Sequence, residues 1–85
     1  MAETFSELYP TLAELVEGGA HMEVNGGGYH LQIAALYEES QLICQFACSG
    51  MSPDAILEEL NELALRYVEE GMVTDSLNGS EYCIG

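Results

Sequence analysis

Lysine is absent from this chain and arginine occurs once, as Arg66, against 15 aspartates and glutamates. The formal net charge is therefore −14 at neutral pH. Proteins that grip nucleic acid neutralise phosphates with clustered cations and release counterions, so direct DNA or RNA binding is excluded. Attraction to an anionic membrane surface fails for the same reason. No apolar run reaches the length of a transmembrane helix. The first residues, Met1-Ala2-Glu3-Thr4-Phe5, carry neither a basic segment nor an apolar one, so the expected location is the cytoplasm. The three cysteines, Cys44, Cys48 and Cys83, are an odd number with no C-x2-C pair, which fits reduced thiols better than a disulfide framework. The D-x-D-x-D-G loop of calcium-binding helical hands is missing. No Ser-His-Asp or Cys-His set stands in a recognisable local context. The expectation is a protein that is not an enzyme and that carries neither metal nor cofactor.

The chain is nevertheless built to fold. Of its 85 residues, 48% are apolar, whereas acidic disordered tails lack the hydrophobic residues that offset chain entropy. This length makes one domain, residues 1–85, burying about 60% of the surface its unfolded form exposes.

From Glu3 to Gly18, Phe5, Leu8, Leu12, Leu15 and Val16 recur at helical spacing, while Glu3, Glu7, Glu14 and Glu17 gather on the opposite side. Pro10 interrupts this pattern. It removes a donor and clashes with the preceding turn, so the helix is either kinked or begins near Tyr9 with Pro10 in its first turn. Gly18-Gly19 ends it. A period of two follows. Ala20, Met22 and Val24 alternate with His21 and Glu23. After Asn25-Gly26-Gly27-Gly28, the series Tyr29, Leu31, Ile33, Ala35 and Tyr37 alternates with His30, Gln32, Ala34 and Leu36. After Glu38-Glu39-Ser40, Leu42, Cys44, Phe46 and Cys48 continue the alternation. This predicts a three-stranded antiparallel meander. The face with His21, Glu23, His30, Gln32 and Gln45 reads as the wetter one, so the helices are expected on the other.

Ser52-Pro53-Asp54 supplies a cap, a first-turn proline and a favourable dipole partner for a helix that runs to Glu70 and stops at Gly71. Ile56, Leu57, Leu60, Leu63, Ala64, Tyr67 and Val68 form its apolar side, opposite Glu58, Glu59, Glu62, Glu69 and Glu70. Arg66 is four residues from both Glu62 and Glu70 and is expected to pair with them. Asn78-Gly79 is a hairpin signal between 73–77 and 81–84, predicting a short fourth strand or a small hairpin on the sheet edge, with a loose tail as the alternative. The fold class is thus α+β, in the order helix, three-stranded meander, helix.

Few residue sets suggest chemistry. Along a strand, Cys44 and Cys48 would lie about 13 Å apart, too far to share a zinc ion, and read as core residues, with Cys83 an exposed thiol. His21 and His30 could be cross-strand neighbours on the outer face. The pairs Glu38-Glu39, Glu58-Glu59 and Glu69-Glu70 resemble catalytic carboxylates only superficially, since acid/base work needs burial to raise one pKa. The Gly26-Gly27-Gly28 loop joins two strands, unlike a phosphate cradle that opens a helix.

The distribution of negative charge is the remaining signal. Self-repulsion costs stability, and a chain that needed only solubility could interleave cations with its acids. An anionic surface is steered toward basic grooves, where carboxylates along a helix can stand in for phosphates. The residues expected to contact a partner are Glu7, Glu14, Glu17, Glu38, Glu39, Glu58, Glu59, Glu62, Glu69 and Glu70, with Tyr9, Tyr29, Tyr37 or Tyr82 as aromatic anchors. In size, acidity and element order the chain resembles small phage-encoded inhibitors of host defence, the anti-CRISPR proteins and related DNA mimics. That resemblance implies a cytoplasmic monomer or dimer that binds a basic nucleic-acid-binding complex, such as a CRISPR effector, and blocks its groove. The element order is also similar to the double-stranded RNA-binding domain, but that family places lysines where this chain reads Ser52-Pro53-Asp54-Ala55. An alternative is an acidic adaptor or chaperone that docks a client's basic segment or lends it a sheet edge.

Overall fold

The computed structural model describes residues 4–27 and 30–83. Two short helices, α1 (Phe5–Leu8) and α2 (Pro10–Glu17), precede strands β1 (His21–Gly27), β2 (His30–Glu38) and β3 (Gln41–Ala47). The long helix α3 (Pro53–Glu70) then leads to β4 (Met72–Asp75) and β5 (Ser80–Cys83). The five strands form one sheet in the order β1-β2-β3-β4-β5. All neighbours are antiparallel except β3 and β4, which run parallel. The predicted helix, meander, helix order holds. The C-terminal hairpin lies at the sheet edge, as one of the expected alternatives had it, and extends the sheet to five strands with β4 parallel to β3, because α3 serves as the crossover that a parallel pair requires.

Local chemistry explains most boundaries. Thr4 caps α1, its Oγ1 accepting from the Glu7 amide at 3.3 Å. Tyr9 then leaves helical geometry, with φ −133° and ψ 66°, and Pro10 opens α2. A residue before proline is pushed out of the helical region, so the segment divides there: α2 begins with Tyr9 as its cap and Pro10 in its first turn, the second of the two expected alternatives, and α1 is a separate short helix before it. Glu3 lies outside the described residues, Glu7 stays on α1, and Glu14 and Glu17 ride on α2, which divides the expected glutamate face. Ser52 Oγ accepts from the Ala55 amide at 3.2 Å to start α3. Gly71, at φ 67°, ends it in a left-handed cap whose N–H reaches the carbonyls of Arg66 and Tyr67.

The register fixes which side chains face the helices. Met22 pairs with Leu36 and Val24 with Ala34, while Leu36 pairs with Cys44 and Ala34 with Phe46. Leu36, Ala34, Cys44 and Phe46 are buried in one cluster with Leu12, Leu60, Leu63 and Ala64. The inward side of β2 is therefore Ala34 and Leu36, and Gln32 also lies on the helix side. This reverses the sequence reading for β2, which placed Leu31, Ile33, Ala35 and Tyr37 inward. Ile33 to Tyr37 is apolar at every position, so alternation carries no phase there. Leu31 is in fact 55% exposed. Tyr29 and Gly28 lie outside the described residues. His21 pairs with Tyr37 and His30 with Gly27, at opposite ends of the hairpin, so the two histidines are not cross-strand neighbours.

Helix α3 packs over β2, β3 and β4, and α2 packs against α3. Burying side chains such as Leu12, Leu36, Ile43 and Leu60, all at most 1% exposed, stabilises the fold by about 1.5–3 kcal/mol each. That is the main counterweight to charge repulsion. No helix among the described residues is long and apolar enough to cross a membrane.

Candidate partner-binding surface

The surface is built on α3. At about 100° per residue, Glu58, Glu62 and Glu69 fall within about 40° of one another, opposite the buried Leu60. All three are exposed. Glu58 and Glu62 lie about 6 Å apart along the axis and Glu69 about 10 Å further on. This places a straight acidic stripe on the outer side of the long helix.

Two grooves flank the first half of α3. One, of about 400 Å³, is lined by Met22 and Val24 of β1, Gln32 of β2, Met51, and Pro53, Ile56, Leu57 and Leu60. Apart from the Gln32 amide its lining side chains are apolar. It exists because α3 lies over β2 to β4, so the inward residues of the edge strand β1 are only partly covered. Val24 is 48% exposed. The other groove, of about 550 Å³, runs between α1, the start of α2 and α3, and its lining includes Leu8, Tyr9, Asn61 and the carboxylates Glu58, Glu59 and Glu62. Met51 lines both. The two grooves thus lie on opposite flanks of the first turns of α3, with Met51 between them.

The structure gathers Glu58, Glu59 and Glu62 along the second groove and spreads the remaining expected contact residues elsewhere. Glu7 is exposed on α1, and Glu14 and Glu17 are exposed on α2. Glu38 and Glu39 sit at the β2–β3 turn; the former is half-buried and takes a long hydrogen bond, 3.5 Å, from the Tyr67 hydroxyl. Glu69 and Glu70 lie on the last turn of α3. Arg66 does not pair with Glu62 as expected. Its Nη1 donates to Glu81 Oε1 on β5 at 2.9 Å, and its Nε approaches Glu70 Oε2 at 3.9 Å. The hairpin, adjacent to the helix in space, presents a closer carboxylate than the i−4 position.

Among the tyrosines expected to anchor a partner, Tyr9 is a core residue, only 7% exposed, with its hydroxyl 3.5 Å from the Asp54 carbonyl oxygen. Burial, then the charges of Asp54 and Glu58, raise its pKa. Tyr37 is half-buried and stacks on His21 with ring centroids 5.7 Å apart. Tyr29 is outside the described residues, and Tyr82 lies on β5. Tyr67, which sequence reasoning assigned only to the core, faces Glu38, and its pKa is raised by burial first and by that carboxylate second.

Cys44 and Cys48 are fully buried, and Cys83 is exposed. Burial, with a smaller effect of the Glu59 charge, pushes the Cys44 thiol up to about 12, which keeps it protonated and unreactive. Among the described residues no group of three or more His, Cys, Asp or Glu is placed to hold a metal ion.

Sequence reasoning missed the apolar groove. Its residues carry an ordinary core pattern, and only the position of β1 at the sheet edge leaves them open. The fold and surface define an α+β domain with an acidic helical layer and an apolar groove beside a free sheet edge. Comparison with known protein families, curated proteins and solved structures finds no match.

Proposed function

We propose that this protein is an acidic interaction module that binds a basic, partly apolar segment of a protein partner, as an adaptor or chaperone does. One observation carries the reading: an apolar groove and a groove lined by Glu58, Glu59 and Glu62 flank the same half of α3, with Met51 in the lining of both. Apolar contact supplies affinity and charge selects cationic partners and speeds their encounter. The test is capture of arginine-rich, apolar-containing peptides by the immobilised protein. Retention should weaken as salt rises and in the triple variant Glu58→Gln, Glu59→Gln, Glu62→Gln. Retention that ignores both would refute the proposal.

A second reading rests on the stripe of Glu58, Glu62 and Glu69. Carboxylates repeating along a straight helix support a stand-in for a phosphate backbone, blocking the groove of a basic nucleic-acid-binding complex as an anti-CRISPR inhibitor does. Competition distinguishes the two. In the second reading the protein displaces DNA or RNA from its partner and Glu69→Gln weakens that displacement, whereas in the first Glu69 is remote from the site and its loss is neutral.

A further inference from the structure

Resting on the reading of a basic, partly apolar ligand, we infer that the ligand binds as an added β-strand along the free edge of β1, with alternate apolar residues entering the groove.

The sheet has two edges. The strand β5 is four residues long and is tied to α3 by Glu81 and Arg66. The groove beside it is lined by Thr74, Asp75, Ser76, Gly79, Ser80 and Glu81, a polar set. The strand β1 is seven residues long and pairs without interruption from His21 to Asn25. Among the described residues its outer edge therefore offers a regular run of unpaired backbone donors and acceptors of the kind that recruits another strand.

Side-chain phase then sets the ligand's pattern. Paired residues share a face of the sheet, so residues set opposite Met22 and Val24 project to the helix side. There they reach the groove walled by Ile56, Leu57 and Leu60. Two such residues are about 6.6 Å apart, the spacing of Met22 and Val24 themselves. The residue between them faces the other side, where Glu23 lies. The pattern that fits is apolar, basic, apolar. A second copy of this chain is a poor occupant: it would bring another Glu23 and another net charge of −14 onto the same edge, and like charges opposed across strands are destabilising.

The test is fluorescence anisotropy with two peptides of one composition, each carrying an N-terminal fluorophore and an amidated C-terminus. Arg-Leu-Arg-Val-Arg-Leu-Arg alternates; Arg-Arg-Leu-Val-Leu-Arg-Arg does not. The alternating peptide should bind about tenfold tighter. N-methylation of alternate backbone amides should abolish that advantage in one of the two phases, because only one row of amides faces β1. Val24→Asp, at a half-exposed position that tolerates the change, should cost about tenfold in affinity, while Leu65→Asp on α3 should cost nothing. Equal, salt-sensitive binding of both peptides would overturn the strand-addition inference and leave the acidic module standing. Absence of binding by either peptide would overturn both. Self-association of the protein that Val24→Asp abolishes would also overturn the inference, making the edge a contact between copies.

Discussion

Asn61, midway along α3, accepts a hydrogen bond from the Leu12 backbone amide at 3.0 Å and so caps a helix 49 residues earlier. Helix α2 has no side-chain cap of its own: Tyr9 stands at its N-cap and Pro10 at its first position. One of its free amides is therefore satisfied across the helix–helix interface. Replacing a capping side chain costs about 0.5–2 kcal/mol. Asn61→Ala should fall in that range in urea unfolding, whereas Asn61→Asp, which keeps the acceptor, should lose less. Equal losses in the two variants would show that Asn61 does not act as the cap.

The β2–β3 turn holds a strained position. Glu39 and Ser40 occupy the two-residue loop with φ 49° and 68°, and a tight hairpin with both residues at positive φ is normally built from Asn-Gly. Side chains there resist the left-handed region. Ser40→Gly should raise stability by roughly 0.5–1 kcal/mol, read as a higher urea midpoint at unchanged slope. A lower midpoint would mean that chain entropy outweighs the relieved strain.

These two examples show what the sequence could reveal. Ser52-Pro53-Asp54 and Gly71 mark α3 because capping is local chemistry, and Asn78-Gly79 marks the last hairpin for the same reason. The parallel docking of β4 on β3 is not local. It follows from where α3 deposits the chain after crossing the sheet. The facing of β2 was also hidden, since Ile33 to Tyr37 would suit either side. Charge was legible as a total, and the exposure of the glutamates followed from their place opposite the apolar helix faces. Which three of them line a groove depends on where α1 and Met51 come to rest beside α3, and no spacing rule encodes that placement.

Asp75 predicts an acid-sensitive step. Its carboxylate accepts from Gln45 Nε2 at 2.9 Å, from Asn78 Nδ2 at 2.7 Å and from the Asn78 amide at 3.2 Å. The Asn78 and Gln45 side chains, in that order, hold its pKa below the usual 3.8, against an opposing effect of burial. A depressed carboxylate pKa contributes stability that is complete above the unfolded-state value and lost as pH falls through the folded one. Asp75→Asn should cost about 1–2 kcal/mol at neutral pH. Its deficit against the parent should shrink below about pH 4 and close once both folded and unfolded carboxyls are protonated. A deficit that stays constant on acidification would rule out the ionised carboxylate as its source.

Thr74 pairs with Cys44 across the parallel strands and is buried, with its Oγ1 lacking a hydrogen-bond partner among the described residues. A buried hydroxyl without a partner keeps its full desolvation cost, about 1–3 kcal/mol on mutational scales. Thr74→Val preserves the β-branched shape and removes the polar atom. It should raise the thermal midpoint, while Thr74→Ala, which leaves a void, should lower it. A destabilised valine variant would reveal that the hydroxyl has a partner.

Salt decides between the protein's two surface electrostatic effects. The Arg66–Glu81 contact is favourable, but both side chains are about half exposed, 41% and 50%, and such pairs contribute about 0–1 kcal/mol. Against it stands the mutual repulsion of 15 acidic residues balanced by that single arginine. Raising ionic strength from about 0.01 to 1 M shortens the screening length from about 30 to 3 Å, weakening both. Repulsion acts over many pairs and the attraction over one or two, so the thermal midpoint should rise with salt. Arg66→Gln should lower stability at low salt, by the lost contact and by one more uncompensated charge, and the loss should fade at high salt. A midpoint that drops as salt is added would mean that local pairing outweighs the net field, and the anionic surface would then impose no stability cost needing a functional explanation.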